Sequence, residues 1–203
     1  MGYAQSSYLL FTLFFALFLL FILIFGATNA QKTSFDIVVM DKVVGEANLV
    51  KKIIGEGKYS LAYTFDATVT MLFIKTVVDM DINVSYDKSQ LTNAKVVYKY
   101  NDKLLNRNIV WDGAKYNVDT NGKKTALTKK AFFSVMNLYE KEPIGIKEVF
   151  LEKQSEFVAL KSLGNNQYSL IVDGDNCTYT YKNGALQKIV IDAFANVTLL
   201  RKK

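Results

Sequence analysis

From Tyr59 to Phe73 every odd position is apolar or aromatic: Tyr59, Leu61, Tyr63, Phe65, Ala67, Val69, Met71 and Phe73. The even positions between them are Ser60, Ala62, Thr64, Asp66, Thr68 and Thr70. Period-two alternation of this length predicts a strand with one buried face and one wetter face. The phase then reverses. Val78, Met80, Ile82, Val84 and Tyr86 take the even positions, with Asp79, Asp81, Asn83 and Ser85 between them. A strand cannot exchange its faces without a turn or bulge, so a tight turn is expected within 74–77. Left straight, the first strand would run about 50 Å, which predicts strong coiling or a bulge.

Turn chemistry punctuates the rest of the chain. Asn101-Asp102, Asp112-Gly113, Asn121-Gly122, Gly164-Asn165-Asn166, Asp173-Gly174 and Asn183-Gly184 lie mostly a hairpin's length apart. Strands are expected between them, at 95–100, 105–111, 115–118, 168–172, 177–181 and 186–191, with 197–200 closing the chain. Neither a βαβ rhythm nor a Gly-rich phosphate loop is present. The pattern predicts an all-β fold, an antiparallel meander.

One stretch has a different period. Phe132, Val135, Met136 and Tyr139 recur at i, i+3, i+4 and i+7 within 128–139, a helical stripe that Thr128 would cap. The only proline, Pro143, follows it. A second helical turn is expected around 146–153, with Val149 and Phe150 inward, so the helical insertion spans about 130–153. An apolar sheet face needs a cover. The sheet therefore curls into a closed or half-open β-barrel, or wraps around this helix.

The first thirty residues are physically separate. Residues 9–25 read LLFTLFFALFLLFILIF, and no charged side chain precedes Lys32. Small and polar residues follow the run, and Thr28 and Ala30 form a small-x-small site with cleavage expected before Gln31. Residues 1–30 are read as a signal peptide, or as a retained anchor if uncut, and 31–203 as a single barrel-like domain that is exported. Cys177 is far from the leader, so no lipoprotein signal is formed.

Composition narrows the chemistry. The chain holds no His and one Cys, with 25 Lys+Arg against 19 Asp+Glu. It lacks the commonest general base and transition-metal ligand, and it cannot form an intrachain disulfide, a thiolate zinc site or an iron–sulfur cluster.

With these residues in view, the chain resembles an exported bacterial family known as domain-of-unknown-function family 6134. The resemblance rests on the strand opening at 35–40, the Val44-Gly45 turn, the alternating strands of 59–86, the break at Glu142-Pro143, and the hairpin Tyr181-Lys182-Asn183-Gly184-Ala185-Leu186-Gln187-Lys188. It covers nearly all of 35–201. It implies a periplasmic location in a Gram-negative cell and kinship with periplasmic open or closed barrels, some of which carry lipoproteins or lipids. It implies no catalytic residues.

Several residues carry candidate chemistry. Asp79 and Asp81 share a strand face about 7 Å apart, a spacing a glycosidase could use, but their partners Asn83 and Ser85 mark a solvated face. Asp173-Gly174-Asp175-Asn176 starts like a calcium loop, yet Cys177 and Thr178 stand where Asp or Asn and then Gly are required. It reads as a hairpin turn. Cys177 has no His to activate it and reads as a packing residue. The sequons at Asn83, Asn176 and Asn196 fall within predicted strands and are discounted. The basic groups Lys51-Lys52, Lys123-Lys124, Lys129-Lys130 and Arg201-Lys202-Lys203 serve solubility and edge protection, with anionic lipid headgroups as the specific alternative.

The aromatic stripe points to a cavity instead. Tyr59, Tyr63, Phe65 and Phe73 with Phe132, Met136 and Tyr139 are the expected ligand-lining residues; Phe133 lies beside them. No catalytic residue, metal site or cofactor is expected, and no nucleic-acid partner. Membrane contact is expected only through an uncut leader. The reading is an exported, non-enzymatic protein that binds an apolar or lipid-like ligand inside a β-barrel. The alternative is a structural or adaptor protein of the cell envelope acting through protein–protein contacts. An enzyme would need converging carboxylates in a cleft.

Overall fold

The structure, a computed structural model, describes residues 30–71, 73–193 and 196–203. The expected leader, 1–30, lies outside the described residues apart from Ala30. Eight strands form the first meander: β1 (Ala30–Val39), β2 (Lys42–Gly55), β3 (Lys58–Met71), β4 (Ile74–Asp87), β5 (Gln90–Tyr100), β6 (Lys103–Trp111), β7 (Tyr116–Thr120) and β8 (Lys123–Leu127). An excursion follows, with helix α1 (Val135–Glu140) and a separate hairpin of β9 (Glu148–Leu151) and β10 (Glu156–Ala159). A second meander then runs through β11 (Lys161–Gly164), β12 (Gln167–Val172), β13 (Asp175–Lys182), β14 (Ala185–Ile191) and β15 (Val197–Arg201).

The two meanders make one sheet. β15 pairs antiparallel with β1, from Phe35↔Arg201 to Val39↔Val197, so the order is β11-β12-β13-β14-β15-β1-β2-β3-β4-β5-β6-β7-β8. All pairs are antiparallel, and β8 and β11 remain edges that do not meet. The fold is all-β, a half-open barrel. Inward positions alternate as the sequence predicts: Leu61, Tyr63 and Ala67 on β3, and Ile82, Val84 and Tyr86 on β4, are buried.

β3 ends at Met71 and the turn into β4 includes Phe73, so it comes before the expected 74–77. The register Met71↔Ile74 makes odd residues of β3 face even residues of β4, and this reverses the phase without a bulge. Ile74 already belongs to a strand.

The helical insertion is shorter than expected. Only Val135–Glu140 is helical, and its N-cap is Ser134, not Thr128. The preceding residues form a bent segment tied to its neighbours: Leu91 N donates to Ala131 O at 2.8 Å and Phe150 N to Phe133 O at 3.0 Å. The expected helical turn at 146–153 is the strand β9 and its turn, although Val149 and Phe150 are indeed buried. Val44-Gly45 is no turn either; it lies within β2, and the turn falls at Met40-Asp41. Gly45 is there because β3 passes so close: a Cβ would stand 2.0 Å from Asp66 O.

Candidate functional site

Helix α1 closes one end of the curled sheet. Ser134 leads it in, with its N–H donating to Asn137 Oδ1 at 2.8 Å. Its Oγ lies 2.6 Å from the hydroxyl of Tyr86. Asn137 Nδ2 donates to Tyr59 Oη at 3.1 Å, and Tyr63 Oη donates to Tyr139 Oη at 3.1 Å. Lys51 Nζ pairs with Glu140 at 2.5 Å. Lys51, Tyr59 and Tyr86 all lie toward the ends of their strands that bear turns 56–57 and 88–89. The helix is a stopper at that end.

Above the stopper is a cavity of about 280 Å³. Tyr63, Phe65, Val78, Met80, Ile82 and Tyr98 form one wall from β3, β4 and β5; Val135, Met136 and Tyr139 form the floor. The facing wall comes from β12–β15, through Val172, Cys177, Tyr179, Ile191 and Leu199. Lys153, Gln154, Asp173 and Asp175 also line it. The 173–174 turn lies at the end of the sheet opposite the helix, because β12 runs parallel to β1 through three intervening antiparallel strands. The cavity therefore opens away from the stopper.

The polar residues of this open end are mostly paired. Lys153 Nζ meets Asp173 Oδ2 at 2.7 Å and stands 4.1 Å from the centroid of the Tyr98 ring. Gln154 Nε2 donates to Asp173 Oδ1 at 2.8 Å, and Arg107 donates to the Lys153 carbonyl. Lys153 and Gln154 draw the Asp173 carboxyl below its usual range against the opposing effect of desolvation. Asp175 is on the inward face of β13 with Cys177 and Tyr179. Burial, then the charges of Asp175, Asp192 and Asp173, push the Cys177 thiol up to about 11, so it stays protonated and unreactive.

Four of the seven expected lining residues converge here: Tyr63, Phe65, Met136 and Tyr139. Three do not. Tyr59 is below the floor, stacked on Tyr86 with ring centroids 4.7 Å apart, and desolvation pushes its phenol up to about 12. Phe73 occupies the β3–β4 turn at φ 70° and is fully exposed. Its place in the alternation continues a strand that has already ended. Phe132 precedes the helix, is more than half exposed, and borders a separate shallow depression with Trp111 and Lys130. Sequence reasoning missed the second wall. The alternation of Cys177, Tyr179 and Tyr181 marks their common face, but nothing local says which sheet face lies opposite.

The named lysines do not ring the cavity. Lys129 pairs with Glu148 at 2.5 Å, and Lys202 with Asp36 at 3.1 Å and Glu46 at 2.5 Å. Asp79 and Asp81 are on the outer face of β4, with Asp66 opposite Asp79 on one side and Lys99 on the other. Among the described residues no group of three or more acidic or Cys side chains is placed to hold a metal ion.

Glu152 is the unexpected member of the interior. It is fully buried beside the Ser134 hydroxyl and the amides of Val135 and Met136, and neither oxygen has a partner at hydrogen-bonding geometry among the described residues. Burial pushes its carboxyl up to about 7, partly countered by those neighbouring donors.

An antiparallel sheet curled around a short helix, with a lined interior and unpaired edges, defines a protein of the β-barrel-like class. The chain belongs to the family described as Domain of unknown function (DUF6134), which it matches over residues 35–202. It is similar in fold to the crystal structure of a β-barrel-like protein of domain of unknown function DUF1849 from Brucella abortus. That likeness has a TM-score of 0.52 at 15% identity and covers 87% of this chain and 98% of that one. No curated protein matches the chain at a significant level.

Proposed function

We propose that this chain is an exported, non-enzymatic protein that carries an apolar or lipid-like ligand between α1 and the inner face of its half-open barrel. The supporting observation is the cavity itself. About 280 Å³ stays unfilled although aromatic and aliphatic side chains from eight strands and the helix surround it. Close packing is the rule in protein interiors, and an apolar space of this size is costly unless something occupies it. The volume suits a single acyl or isoprenoid chain better than a bulky lipid with several chains.

The polar end refines the ligand class. Two carboxylates, Asp173 and Asp175, line it against one ammonium, Lys153, which is already paired. A neutral or cationic head is favoured there over an anionic one. Native mass spectrometry of the gently purified protein tests the reading: a retained, organic-extractable small molecule in stoichiometric amount is expected. Ligand-free protein that also fails to take up an apolar fluorescent dye would overturn it.

The adaptor alternative finds less support. The sheet edges that could accept a partner strand, β8 and β11, are only five and four residues long and bear Lys123, Lys124 and Lys161, the usual means of discouraging strand addition.

A further inference from the structure

The β9–β10 hairpin is held differently at its two ends. Backbone bonds tie its root, Phe150 N donating to Phe133 O at 3.0 Å and Leu160 N to Lys147 O at 2.8 Å. Its turn, residues 152–155, lies across the seam between the two meanders and is fastened there mainly by side chains. Lys153 Nζ and Gln154 Nε2 clasp the two carboxyl oxygens of Asp173 on the β12–β13 turn, and Lys153 stands over the Tyr98 ring of β5. From β6, Arg107 donates to the Lys153 carbonyl. Leu151, Lys153 and Gln154 line the cavity, so this turn covers part of its open end.

The same short turn holds three buried polar atoms with no hydrogen-bond partner among the described residues: both carboxyl oxygens of Glu152 and Oγ of Ser155. Ser155 is also in the left-handed region, at φ 58°. Glu152 faces the Ser134 hydroxyl and the amides of Val135 and Met136 at the start of α1, with the phenols of Tyr86 from β4, Tyr139 from α1 and Tyr179 from β13 around it. The charges about the turn are Lys153 and Arg107 against Asp173 and Asp175. Asp192 stands behind these, bonded to Asn176, and Glu140 acts on Tyr86 from the other end of α1. A fully buried carboxyl without partners is tolerated neutral and costly charged.

We propose that turn 152–155 is a pH-sensitive strap over the cavity mouth: Lys153 and Gln154 hold it shut on Asp173 while Glu152 is protonated, and ionisation of Glu152 releases it to swing away from the seam on the fixed root of its hairpin. Opening gives Glu152 to water, where its carboxyl titrates near 4.5 instead of about 7. The open turn binds fewer protons, so opening becomes easier as pH rises between those values and levels off above them. Asp173 stays ionised throughout: against desolvation, Lys153 and Gln154 hold its carboxyl below its usual range. The strap regulates the site proposed above for the ligand and rests on that reading for its use, while its movement is measured without any ligand.

Cys177 is the reporter. It is free, buried and part of the cavity wall, so its rate of reaction with dithiodipyridine in the full-length chain reads how often the mouth opens. Dividing each rate by that of Glu152→Gln at the same pH cancels the chemistry of the thiol itself. The ratio should rise roughly fortyfold from pH 5 to pH 7. It should hold steady in low urea, as a local opening does. Lys153→Met keeps the stem and loses the clasp; it should react roughly fivefold faster than wild type at both pH values, with an unchanged melting temperature. A ratio that stays flat with pH would overturn the proposal. So would a rate that climbs with urea as steeply as global unfolding, or a Lys153→Met protein that reacts no faster. Uptake of the neutral dye phenylnaphthylamine separates the two readings: a rising ratio with no uptake sinks the carrier and keeps the strap, and uptake with a flat ratio does the reverse.

Discussion

The hydroxyls of Tyr86 and Ser134 lie 2.6 Å apart in a fully buried site and join the end of β4 to the N-cap of the helix. The pair explains why the helix begins where it does. The Ser134 side chain meets Tyr86, and its backbone N–H is satisfied by Asn137 Oδ1. Tyr86→Phe should therefore cost about 1–2 kcal/mol, because it strands a buried hydroxyl. Urea denaturation checks this, and adding Ser134→Ala should cost less than it does in the wild type.

Glu152 sets a pH dependence. Its carboxyl titrates at about 7 when folded, raised by burial, against 4.5 in an open chain. Between those values unfolding releases a proton, so stability falls as pH rises through this window and levels off above it. The loss is on the order of 3 kcal/mol. Glu152→Gln should flatten that slope and be the more stable protein at pH 8, measured by denaturant midpoints at several pH values. A wild-type slope of zero between pH 5 and 7 would refute the assignment. Asp112 works in a lower window: the amides of Ala114 and Lys115 hold its carboxyl at about 2, so its contribution is present above pH 4 and lost as pH falls toward 2.

Gly45→Ala should be severe. The new Cβ would meet backbone, Asp66 O at 2.0 Å and Ala67 Cα at 2.7 Å, and neither can rotate away. A loss on the order of 2–4 kcal/mol is expected by thermal or urea melting. Gly55→Ala makes the control, since a Cβ there meets nothing within 4 Å. It should change stability by less than about 0.5 kcal/mol.

Val78→Phe separates cavity from core. Val78 is half-buried and lines the cavity from β4, so a larger ring has empty space to enter. Retained ligand or dye uptake should fall strongly while the melting temperature stays near that of the wild type. Undiminished uptake would move the ligand elsewhere.

Much of this architecture is legible in the chain because strands write their period directly. The phase reversal between Phe65 and Met80 is enough to demand a turn, and the register Met71↔Ile74 accounts for it. The helix is less legible because its start depends on distant partners. Phe132 fits the helical stripe, but the carbonyls of Ala131 and Phe133 are taken by the amides of Leu91 and Phe150, which no local pattern announces. Ser134, three residues before Asn137, was the available capping signal. The strand β9 reads Glu-Val-Phe-Leu, four residues too short to declare a period. Burial of Glu152 is illegible for a different reason: glutamate belongs outside by default, and only the fold brings it beneath the helix start.

The unpaired margins of the sheet carry a final consequence. β8 and β11 exchange no hydrogen bonds, and the link between the two meanders there is the β9–β10 hairpin, through the Tyr116–Phe150 stack, Lys153 over Tyr98 and packing of β10 on β12. The girth of this wall is thus fixed by side-chain contacts along a seam rather than by a continuous hoop of backbone bonds. Widening the seam breaks no ladder, so the hollow can enlarge by sliding one hairpin and not by unzipping a strand.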